Sequence, residues 1–555
     1  MTDFNPANPL IVQGDHTILV EVGSPRYEGA RNELVRFAEL VKSPEHIHTY
    51  RITPLSIWNA RAAGIPATNI VDALCEYSKY PVPDHVLVGI NDFASRFGRL
   101  KLSRDGKGLR LSADSEPLAE EIVHTPTIGE LLAERISKTE FHIRAADRGR
   151  IKQALIKAGF PAEDLAGYVK GEQVNFAVRA ATLSGKPFSF RLYQQQAADA
   201  FYAKGADQGG AGVIVLPCGA GKTIVGISCM AQLQTSTLIL TTNVTAIRQW
   251  KQELMDKTSL SEGDIGEYSG NTKEIRQITI ATYQIMTYRP NKEGDFPHLT
   301  LFDDRNWGLI IYDEVHMLPA PVFQVTAGLQ ARRRLGLTAT LVREDGKEED
   351  VFALIGPKKV DVPWKEMEQQ GWIAKARCCE IRIPLPENLR MDYAVANKRR
   401  KFRISSENPA KQALVREIMA RHKGKQILLI GMYIDQLKEA AKGLDIPLIT
   451  GSTSQKKRDS LYEDFKEGKI SALAVSKVAN FAVDLPDASV AIQISGTFGS
   501  RQEEAQRLGR ILRPKPGENQ AYFYSLVTRD TVEQDFALKR QLFLCEQGYE
   551  YAIRI

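Results

Sequence analysis

The 555-residue sequence lacks several features that would each indicate a particular class of protein. Its six cysteines form no Cys-x-x-Cys pair and no cysteine–histidine set with zinc spacing, which argues against a zinc module. Scattered thiols of this kind are typical of a reducing compartment. No apolar run reaches the ~18 residues of a membrane span, and no basic segment followed by an apolar one opens the chain. We therefore expect a soluble, cytoplasmic protein that does not insert into a membrane.

The bulk composition is ordinary for a globular protein and leaves its partner open. Hydrophobic residues make up 43% of the chain and charged residues 25%, so a chain of this length can bury several cores. The length alone predicts about three or four domains. A net charge of +6 is compatible with nucleic acid as a partner without requiring it. Internal repeats and long low-complexity segments are absent from the sequence.

The first third of the chain begins with a pattern of short strands and helices. The sequence predicts two strands around Gly14 and a helix over residues 30–41, where apolar residues recur at helical spacing. Thr53 and Pro54 are typical of a helix start, and Gly64 is typical of its end. A further helix follows at once. Such a pair is compatible either with plain packing or with a DNA-binding helix-turn-helix.

A polar hairpin and another helix complete this third. The string "LSRDGKGLRLSAD" predicts a hairpin over residues 102–114, and the first domain boundary is expected near residue 95. A helix is predicted over residues 150–159, ended by Gly159. No catalytic pattern occurs before residue 185, and "LSGKPFSF" is typical of a linker into the next region.

Short apolar runs alternate with helical patterns in the rest of the chain. A first series runs from "GVIVLP" to "RLGLTAT", and a second runs from "QILLIG" to "AYFYSLV". Strands that are buried on both faces and separated by helices are typical of a parallel sheet. The predicted fold class is therefore α/β, with two parallel-sheet domains preceded by smaller α+β domains.

The clearest chemical motif is "VLPCGAGKT", which lies between a buried strand and a helix. Its glycines let backbone N–H groups curl around phosphates, and the helix N-terminus adds its positive end. Lys222 is expected to reach the terminal phosphates of ATP, and Thr223 to bind Mg²⁺. The first glycine of the usual motif is replaced by Leu216. The predicted ATP-binding loop comprises Pro217, Cys218, Gly219, Ala220, Gly221, Lys222 and Thr223.

Two acidic residues follow another buried strand in "LIIYDEVH". Carboxylates at the C-terminal end of a strand lie beside the phosphate loop in this type of sheet. Asp313 is expected to hold Mg²⁺ through water, and Glu314 to position the attacking water and accept its proton. Alone, the pair would also suit a solvated strand end. The phosphate loop upstream favours the catalytic interpretation.

The string "EEAQRLGRILRPK" carries three arginines at a spacing of three residues, which predicts one shared helical face. Arginines on one face repel each other unless anions are near, and the phosphates of an ATP bound to the other α/β domain would be such anions. Arg510 and Arg513 are therefore predicted to be arginine fingers. Gln506 is predicted to act with them, and Arg507 to be more structural. A basic solvated helix is the alternative.

Together these motifs resemble superfamily-two helicases of the DExH type, over roughly residues 186–555. The resemblance implies two RecA-like helicase domains with ATP and Mg²⁺ as cofactors. It also implies that "FRLYQQQA" recognises the adenine, with Arg191 near the base and Gln194 hydrogen-bonded to its edge. The string "SKVANFAVDLP" resembles the motif that places Asp484 near the ATP ribose.

The resemblance implies further residues that connect the nucleotide with nucleic acid. Gln249 and Trp250 in "TTNVTAIRQW" would pack against or touch the nucleic-acid backbone. Thr282 in "IATYQ" would meet a phosphate. Thr338 and Thr340 in "LTAT" would couple the state of the ATP to the strand.

A charge cluster, Arg343-Glu344-Asp345, follows those threonines and narrows the family. It resembles the RED motif of XPB-type helicases, and "DEVHMLPAPVF" and "AYFYSLVTRDTVEQDF" resemble the same family. The resemblance implies that the cluster acts in DNA opening. The residues themselves leave a second interpretation open, in which Asp345 and Gly346 only begin the next helix.

The string "NKRRKFR" falls where the XPB-type family carries a thumb insertion. Lys398, Arg399 and Arg400, with Phe402 among them, suit an element that grips a strand. A nuclear signal or a simple solvated helix also fits these residues.

The resemblance implies an ATP-dependent three-prime to five-prime DNA helicase or translocase that opens duplex DNA in nucleotide excision repair. An ATP-gated damage-binding clamp and an RNA helicase are the alternatives. Duplex, forked or bubble DNA is the implied partner, a repair nuclease is a further candidate, and we expect a monomer. The predicted domains are an XPB-type N-terminal domain at 1–95, a damage-recognition-like domain at 96–185, a first helicase domain at 186–362, and a second at 363–555 with a thumb-like insertion at about 385–407.

Overall fold

The computed structural model describes most of the chain. The described residues are 4–42, 46–105, 108–144, 147–205, 209–217, 219–291, 296–322, 326, 332–339, 348–362, 364–476, 488–498, 500–509, 511–514, 519–549 and 551–554. They form two compact units. The first unit contains Met1–Glu39, Tyr50–Leu216 and Gly221–Asp361, and the second contains Leu40–Thr49, Pro217–Ala220 and Val362–Ile555.

The N-terminal part contains a small four-stranded sheet with helices, in the strand order β1-β2-β4-β3. Its strands are β1 (Leu10–Val12), β2 (Thr17–Glu21), β3 (Glu39–Lys42) and β4 (Ile47–Arg51). Its helices are α1 (Tyr27–Leu34), α2 (Pro54–Ala62), α3 (Ala67–Tyr77) and α4 (Asp84–Arg96). The predicted strand pair around Gly14 is confirmed, because β1 and β2 pair antiparallel on either side of it.

Two sequence predictions about helices in this part have different outcomes. The helix start at Thr53 is confirmed, because the Thr53 side chain accepts a hydrogen bond from the backbone N–H of Ser56 and caps α2. The helix predicted over residues 30–41 is wrong in its second half. Helix α1 ends at Leu34, and the chain enters β3 at Glu39. Short apolar runs of this kind fit a helix or a strand, and pairing within the sheet decides between them.

A five-stranded sheet follows, in the order β7-β8-β6-β5-β9. Its strands are β5 (Leu100–Asp105), β6 (Gly108–Ala113), β7 (Leu132–Arg135), β8 (Glu140–Ile143) and β9 (Ala162–Asp164). Its helices are α5 (Glu116–His124), α6 (Pro126–Gly129) and α7 (Arg148–Lys157). The predicted hairpin is confirmed by the antiparallel pairing of β5 with β6, and the predicted helix corresponds to α7.

The first large sheet has seven strands, all parallel, in the order β12-β13-β11-β14-β15-β10-β16. Its strands are β10 (Ala211–Val215), β11 (Thr237–Thr241), β12 (Ile265–Tyr268), β13 (Ile278–Thr282), β14 (Leu309–Asp313), β15 (Arg333–Thr338) and β16 (Lys358–Asp361). The helices of this region are α8 (Leu192–Tyr202), α9 (Lys222–Leu233), α10 (Val244–Lys257), α11 (Tyr283–Met286) and α12 (Glu348–Leu354).

The second large sheet also has seven parallel strands, in the order β19-β20-β18-β21-β22-β17-β23. Its strands are β17 (Lys375–Ile383), β18 (Ile427–Ile430), β19 (Leu448–Ile449), β20 (Ala472–Val475), β21 (Val490–Gln493), β22 (Gln520–Thr528) and β23 (Tyr551–Arg554). Its helices are α13 (Trp364–Gln369), α14 (Glu387–Val395), α15 (Lys398–Ser406), α16 (Lys411–Arg421), α17 (Ile434–Leu444), α18 (Gln455–Lys466), α19 (Arg501–Gly509) and α20 (Val532–Glu546).

The prediction of two RecA-like parallel-sheet domains preceded by smaller α+β domains is confirmed. When the strands of each large sheet are counted along the chain, both sheets have the same spatial order, third, fourth, second, fifth, sixth, first and seventh. Strands β10, β11 and β13 bury all their residues, as helices on both faces of a parallel sheet require. Trp58 of α2 and Ile156 of α7 belong to the same buried cluster as the first sheet. The first unit therefore shares one core across its parts.

No helix among the described residues is long and apolar enough to cross a membrane.

Candidate active site

The predicted phosphate loop lies where the sequence places it, between β10 and α9. Gly219 and Gly221 have φ angles of +84° and +82°, which side chains other than glycine rarely adopt. Gly221 is the N-cap of α9, and Lys222 and Thr223 are its first two residues. The free N–H groups of a helix start attract anions. This turn is therefore suited to phosphate. Cys218 lies outside the described residues.

Two acidic residues end β14 at the same edge of this sheet. Asp313 Oδ1 accepts a hydrogen bond from the Glu314 backbone N–H at 3.1 Å, and Asp313 Oδ2 accepts one from Trp250 Nε1 at 2.9 Å. Burial raises the pKa of Asp313 to about 6, and Glu314 adds to the rise, although the Trp250 bond and Lys222 oppose it. A carboxylate held in such surroundings is stabilised by a cation.

Lys222 and Glu314 face each other within the first unit. Lys222 Nζ lies 3.4 Å from Glu314 Oε1, and the two side chains are 12% and 21% exposed. Glu314 has φ +51°, a left-handed conformation that is uncommon outside glycine. Backbone strain of this kind clusters at functional sites. The pair is close enough to interact and open enough for a ligand to reach it.

His316 extends this pair to the neighbouring strand, and the sequence predictions gave it no role. Its Nδ1 lies 3.5 Å from Glu314 Oε2 and 2.7 Å from Thr338 Oγ1. Thr338 ends β15 and is buried. Lys222, Glu314, His316 and Thr338 therefore form one continuous polar chain. The last letter of "DEVH" was the available signal, because a buried histidine between two predicted site residues needs polar partners.

Mg²⁺ fits this site as a companion of the nucleotide. No group of three or more His, Cys, Asp or Glu side chains within the described ranges could hold a metal by itself. Asp313 supplies one carboxylate with a raised pKa, and Thr223 supplies a hydroxyl. Mg²⁺ is commonly bound by one or two protein oxygens together with substrate phosphates. This donor set suits that mode of binding.

The predicted adenine residues lie at the start of α8. Gln194 Oε1 accepts a hydrogen bond from the Arg191 backbone N–H at 3.0 Å, so the amide helps to cap the helix. Gln194 is buried, and its Nε2 would lie only 2.8 Å from a Cβ atom at Gly221. Gln194 therefore touches the phosphate turn. Contact of Arg191 and Gln194 with a base stays a prediction.

Two residues predicted to meet nucleic acid are enclosed by protein. Trp250 is 1% exposed, so in this structure it is enclosed by protein and does not reach a surface where it could touch nucleic acid. Thr282 is also buried, and its hydroxyl accepts a hydrogen bond from Ile285 N at the start of α11. The Thr282 side chain caps α11 in this structure, and its contact with a phosphate stays a prediction. Gln249 is partly exposed, and its contact with DNA stays a prediction.

The basic helix α15 presents its charges to solvent and its aromatic residue to the core. Lys398, Arg399 and Arg400 are exposed, and Arg399 and Arg400 line a groove of about 630 Å³ together with Tyr433. Phe402 is fully buried, with its ring centroid 4.4 Å from that of Phe498. The expectation that Phe402 grips a strand is therefore wrong for this structure. Helical spacing turns this residue inward while its basic neighbours face outward.

The predicted arginine helix is shorter than expected. Helix α19 ends at Gly509, so Arg513 follows the helix and does not share a helical face with Arg507. Arg507 is buried and donates a hydrogen bond to Gln493 Oε1 at 2.5 Å, which agrees with a structural role. Gln506 is also buried. The catalytic roles of Gln506 and Arg513 stay predictions.

Several predicted site residues have no structural description. The residues that lie outside the described ranges are Cys218, Thr340, Arg343, Glu344, Asp345, Asp484 and Arg510.

Comparisons with known proteins show which family the chain resembles. Residues 367–554 match the ERCC3/RAD25/XPB C-terminal helicase family, residues 187–343 match the res subunit of type III restriction enzymes, and residues 10–137 match a helicase conserved C-terminal domain. The sequence is 53% identical to DNA 3'-5' helicase XPB of Kineococcus radiotolerans, over 100% of this chain and 97% of the relative.

Two further relatives extend the similarity. DNA 3'-5' helicase XPB of Mycobacterium tuberculosis is 53% identical over 100% of this chain and 98% of its own length. The XPB/SSL2 helicase/translocase subunit of general transcription and DNA repair factor IIH from Saccharomyces cerevisiae is 30% identical, over 98% of this chain and 71% of its own.

Proposed function

Because the chain belongs to the XPB family of helicases, we propose that it is an ATP-driven DNA helicase or translocase. It moves three-prime to five-prime and opens duplex DNA in nucleotide excision repair. The observation that carries the proposal is the polar chain from Lys222 through Glu314 and His316 to Thr338. These four polar side chains connect the phosphate turn with the end of β15, which precedes the charge cluster at 343–345 in the sequence.

Hydrolysis begins with the release of Glu314 from Lys222. The 3.4 Å separation lets Lys222 neutralise the carboxylate before nucleotide arrives. Phosphates compete for the lysine, which leaves Glu314 Oε1 able to orient a water and accept its proton. Asp313 and Thr223 would hold Mg²⁺, which supplies positive charge to the phosphates when bound. Arg510 and Arg513 are the candidates for stabilising the transferred phosphoryl group.

Communication with DNA runs through His316 and Thr338. Because Glu314 Oε2 and Thr338 Oγ1 both lie near His316 Nδ1, a shift at the end of β15 alters the surroundings of the catalytic carboxylate. The segment after β15 carries Thr340 and Arg343-Glu344-Asp345, which we assign to DNA opening. Replacing Arg343 with Ala should spare basal ATPase and reduce DNA opening. Equal loss of both would favour a helix cap at this position.

Binding of the DNA backbone is assigned to exposed polar residues of two helices. Gln249 lies on α10, and Lys398, Arg399 and Arg400 lie on α15. Cations that neutralise phosphates make binding depend on salt and not on sequence. A cytoplasmic location, a monomeric state and cooperation with a repair nuclease complete the proposal.

ATP turnover with a panel of nucleic acids tests the proposed function. Single-stranded, duplex, forked and bubble DNA and RNA are compared, with fluorescent strand separation measured in parallel. DNA-stimulated turnover together with strand separation or translocation is the expected result. Turnover without either on any duplex would replace the helicase with an ATP-gated damage-binding clamp. Stronger stimulation by RNA would indicate an RNA helicase.

A further inference from the structure

Trp250 is buried beside the proposed metal site, where the hydrolysis scheme gives it no role. Its side chain is 1% exposed, and its Nε1–H donates to Asp313 Oδ2 at 2.9 Å. An indole has a single donor and no acceptor. Its whole hydrogen-bonding capacity is therefore directed at one carboxylate oxygen.

The Asp313 carboxylate is fixed on both oxygens. While Trp250 binds Oδ2, the backbone N–H of Glu314 binds Oδ1 at 3.1 Å. The Tyr283 hydroxyl also donates to the Asp313 backbone carbonyl at 2.9 Å. Hydrogen bonds to an ionised acceptor are stronger and more directional than those between neutral groups. The plane of the carboxylate is thus set by protein groups before a ligand arrives.

The other edge of the indole rests on α9, the helix that follows the phosphate turn. A Cβ atom at Gly226 would lie 2.5 Å from the Trp250 ring and 3.4 Å from Leu337. Only a glycine allows the helix to approach the ring this closely. Trp250 therefore contacts the helix that carries Thr223 and the strand end that carries Asp313, the two predicted metal ligands.

We propose that Trp250 is a positioning residue for the metal of the bound nucleotide. It orients the Asp313 carboxylate through the indole N–H and sets the spacing between α9 and the end of β14 through its ring. The inference rests on the proposed function, because the metal arrives with ATP. Groups that orient a metal ligand in this way commonly contribute about 10–100-fold to metal affinity.

Replacing Trp250 with Phe tests the inference, since phenylalanine keeps an aromatic ring but lacks the N–H donor. Binding of a fluorescent ADP analogue is measured by titration with Mg²⁺ and again in excess chelator. We expect the Mg²⁺ concentration at half-saturation to rise about tenfold or more, with metal-free nucleotide affinity unchanged. An unchanged Mg²⁺ midpoint would overturn the inference.

Trp307→Phe is the matched control within the same unit. Trp307 is also fully buried, and its Nε1 donates to the Leu301 backbone carbonyl at 2.8 Å. The substitution removes the same atoms and one hydrogen bond, but none of them faces a carboxylate of the site. Its Mg²⁺ midpoint should match that of the unaltered protein. An equal rise in both variants would assign the effect to general loosening and refute the role of Trp250.

Gly226→Ala changes the contact between α9 and the Trp250 ring from the side of the helix. It tests the role of Trp250 if the Trp250→Phe variant does not fold. The added methyl group pushes on the indole without removing its donor, so Mg²⁺ affinity should fall. An unchanged midpoint would contradict the spacing role. If the unaltered protein shows no Mg²⁺-dependent nucleotide binding, the proposed function fails. If it does and both variants keep it, only the inference about Trp250 fails.

Discussion

Two lysine–glutamate pairs lie in domains whose sheets have the same strand order, yet the surroundings of the pairs differ. Lys222 and Glu314 are 3.4 Å apart, and both remain partly exposed. Lys411 and Glu533 are 2.7 Å apart, and both are 0% exposed. The same two residue types thus form an open contact in one sheet domain and a closed one in the other.

Both charged groups of the closed pair make further hydrogen bonds to the backbone. Besides both oxygens of Glu533, Lys411 Nζ contacts the backbone carbonyls of Ser406 and Ile494 at 3.1 and 3.0 Å. Glu533 also accepts a hydrogen bond from the Thr528 backbone N–H at 2.8 Å. Releasing such a lysine would leave a buried charge without a counterion. The open pair can exchange partners with a ligand, and this property separates the proposed catalytic pair from the structural one.

The largest effect is expected at the open pair. Replacing Glu314 with Gln removes the proposed base and should lower ATP turnover by about 10²–10⁴-fold. Nucleotide binding should persist, because the phosphate turn is intact, and Lys222→Ala should weaken it. Steady-state turnover and fluorescent nucleotide binding measure the two properties. Normal turnover in Glu314→Gln would mean that another group is the base.

The closed pair should give the opposite result. Replacing Glu533 with Gln leaves the Lys411 ammonium buried without its counterion and should cost about 3–5 kcal/mol of stability. ATP turnover per folded molecule should not change. Urea denaturation measures the stability, and the doubly apolar variant Lys411→Met with Glu533→Leu should recover part of the loss. A loss of turnover without a loss of stability would show that this pair also serves catalysis.

An ion pair of the first unit, in which the arginine side chain is 1% exposed and the carboxylate 11%, tests whether burial of the cation, and not position in either large sheet, makes a pair structural. Asp164 binds Arg148 at 2.6 Å and Lys152 at 3.0 Å. Burial would raise the pKa of Asp164, but Lys152 and Arg148 outweigh it and hold this pKa below the usual value. The folded state therefore favours the charged form. The charged Asp164 carboxylate therefore contributes to the free energy of unfolding above about pH 4, and this contribution is lost as the pH falls further.

Replacing Asp164 with Asn should remove the part of the pH dependence of stability that this carboxylate causes. We expect the variant to be about 2–3 kcal/mol less stable at neutral pH and to lose less stability than the unaltered protein between about pH 4 and pH 2. Thermal denaturation across this range measures both. Parallel pH curves for the two proteins would mean that other carboxylates dominate acid unfolding.

His316 should give a smaller effect, because it acts on the open pair through hydrogen bonds. Replacing His316 with Ala should reduce DNA-stimulated turnover about three- to tenfold, the value of roughly one hydrogen bond. Basal turnover should fall less. Thr338→Val removes the other end of the same 2.7 Å contact and should lower the ratio of DNA-stimulated to basal turnover by a similar factor. Unequal ratios would show that His316 and Thr338 act separately.

The sequence predicted both members of the open pair as site residues, although not their contact. Glu314 directly follows strand β14, and Lys222 begins α9 after the glycine-rich turn that follows β10. His316 was missed because its partner Thr338 comes from another strand. Local spacing cannot show which distant side chain a buried polar group meets.

The sequence did not show which aromatic residues of two helices are buried. Phe402 lies among basic residues that suggested a strand-gripping element, and the helicase resemblance implied that Trp250 packs against or touches the nucleic-acid backbone, yet both side chains are buried. In each helix the inward residue is set by tertiary packing, against Asp313 and Gly226 in one case and Phe498 in the other. The helix expected over residues 30–41 failed for a related reason, since strand pairing overrides a weak helical period.

The smallest expected effect concerns the outward face of α15. Arg399, Arg400 and Arg403 all line the groove beside Tyr433, but only Arg403 of the three is paired with Glu407, at 2.8 Å. If the exposed side chains of Arg399 and Arg400 bind DNA phosphates, replacing either one with Ala should lower the slope of log affinity against log salt by about 1. Fluorescence anisotropy at several salt concentrations measures the slope.

Arg403→Ala is the control on the same helix, and its slope should stay nearer that of the unaltered protein because its ion pair competes with phosphate. Phe402→Leu should lower stability through lost packing while leaving the salt slope unchanged. If Phe402→Leu lowers the salt slope and Arg399→Ala does not, DNA binding depends on the packing of α15 and not on its exposed charges. The arginine face binds DNA only if the slope follows the exposed charges.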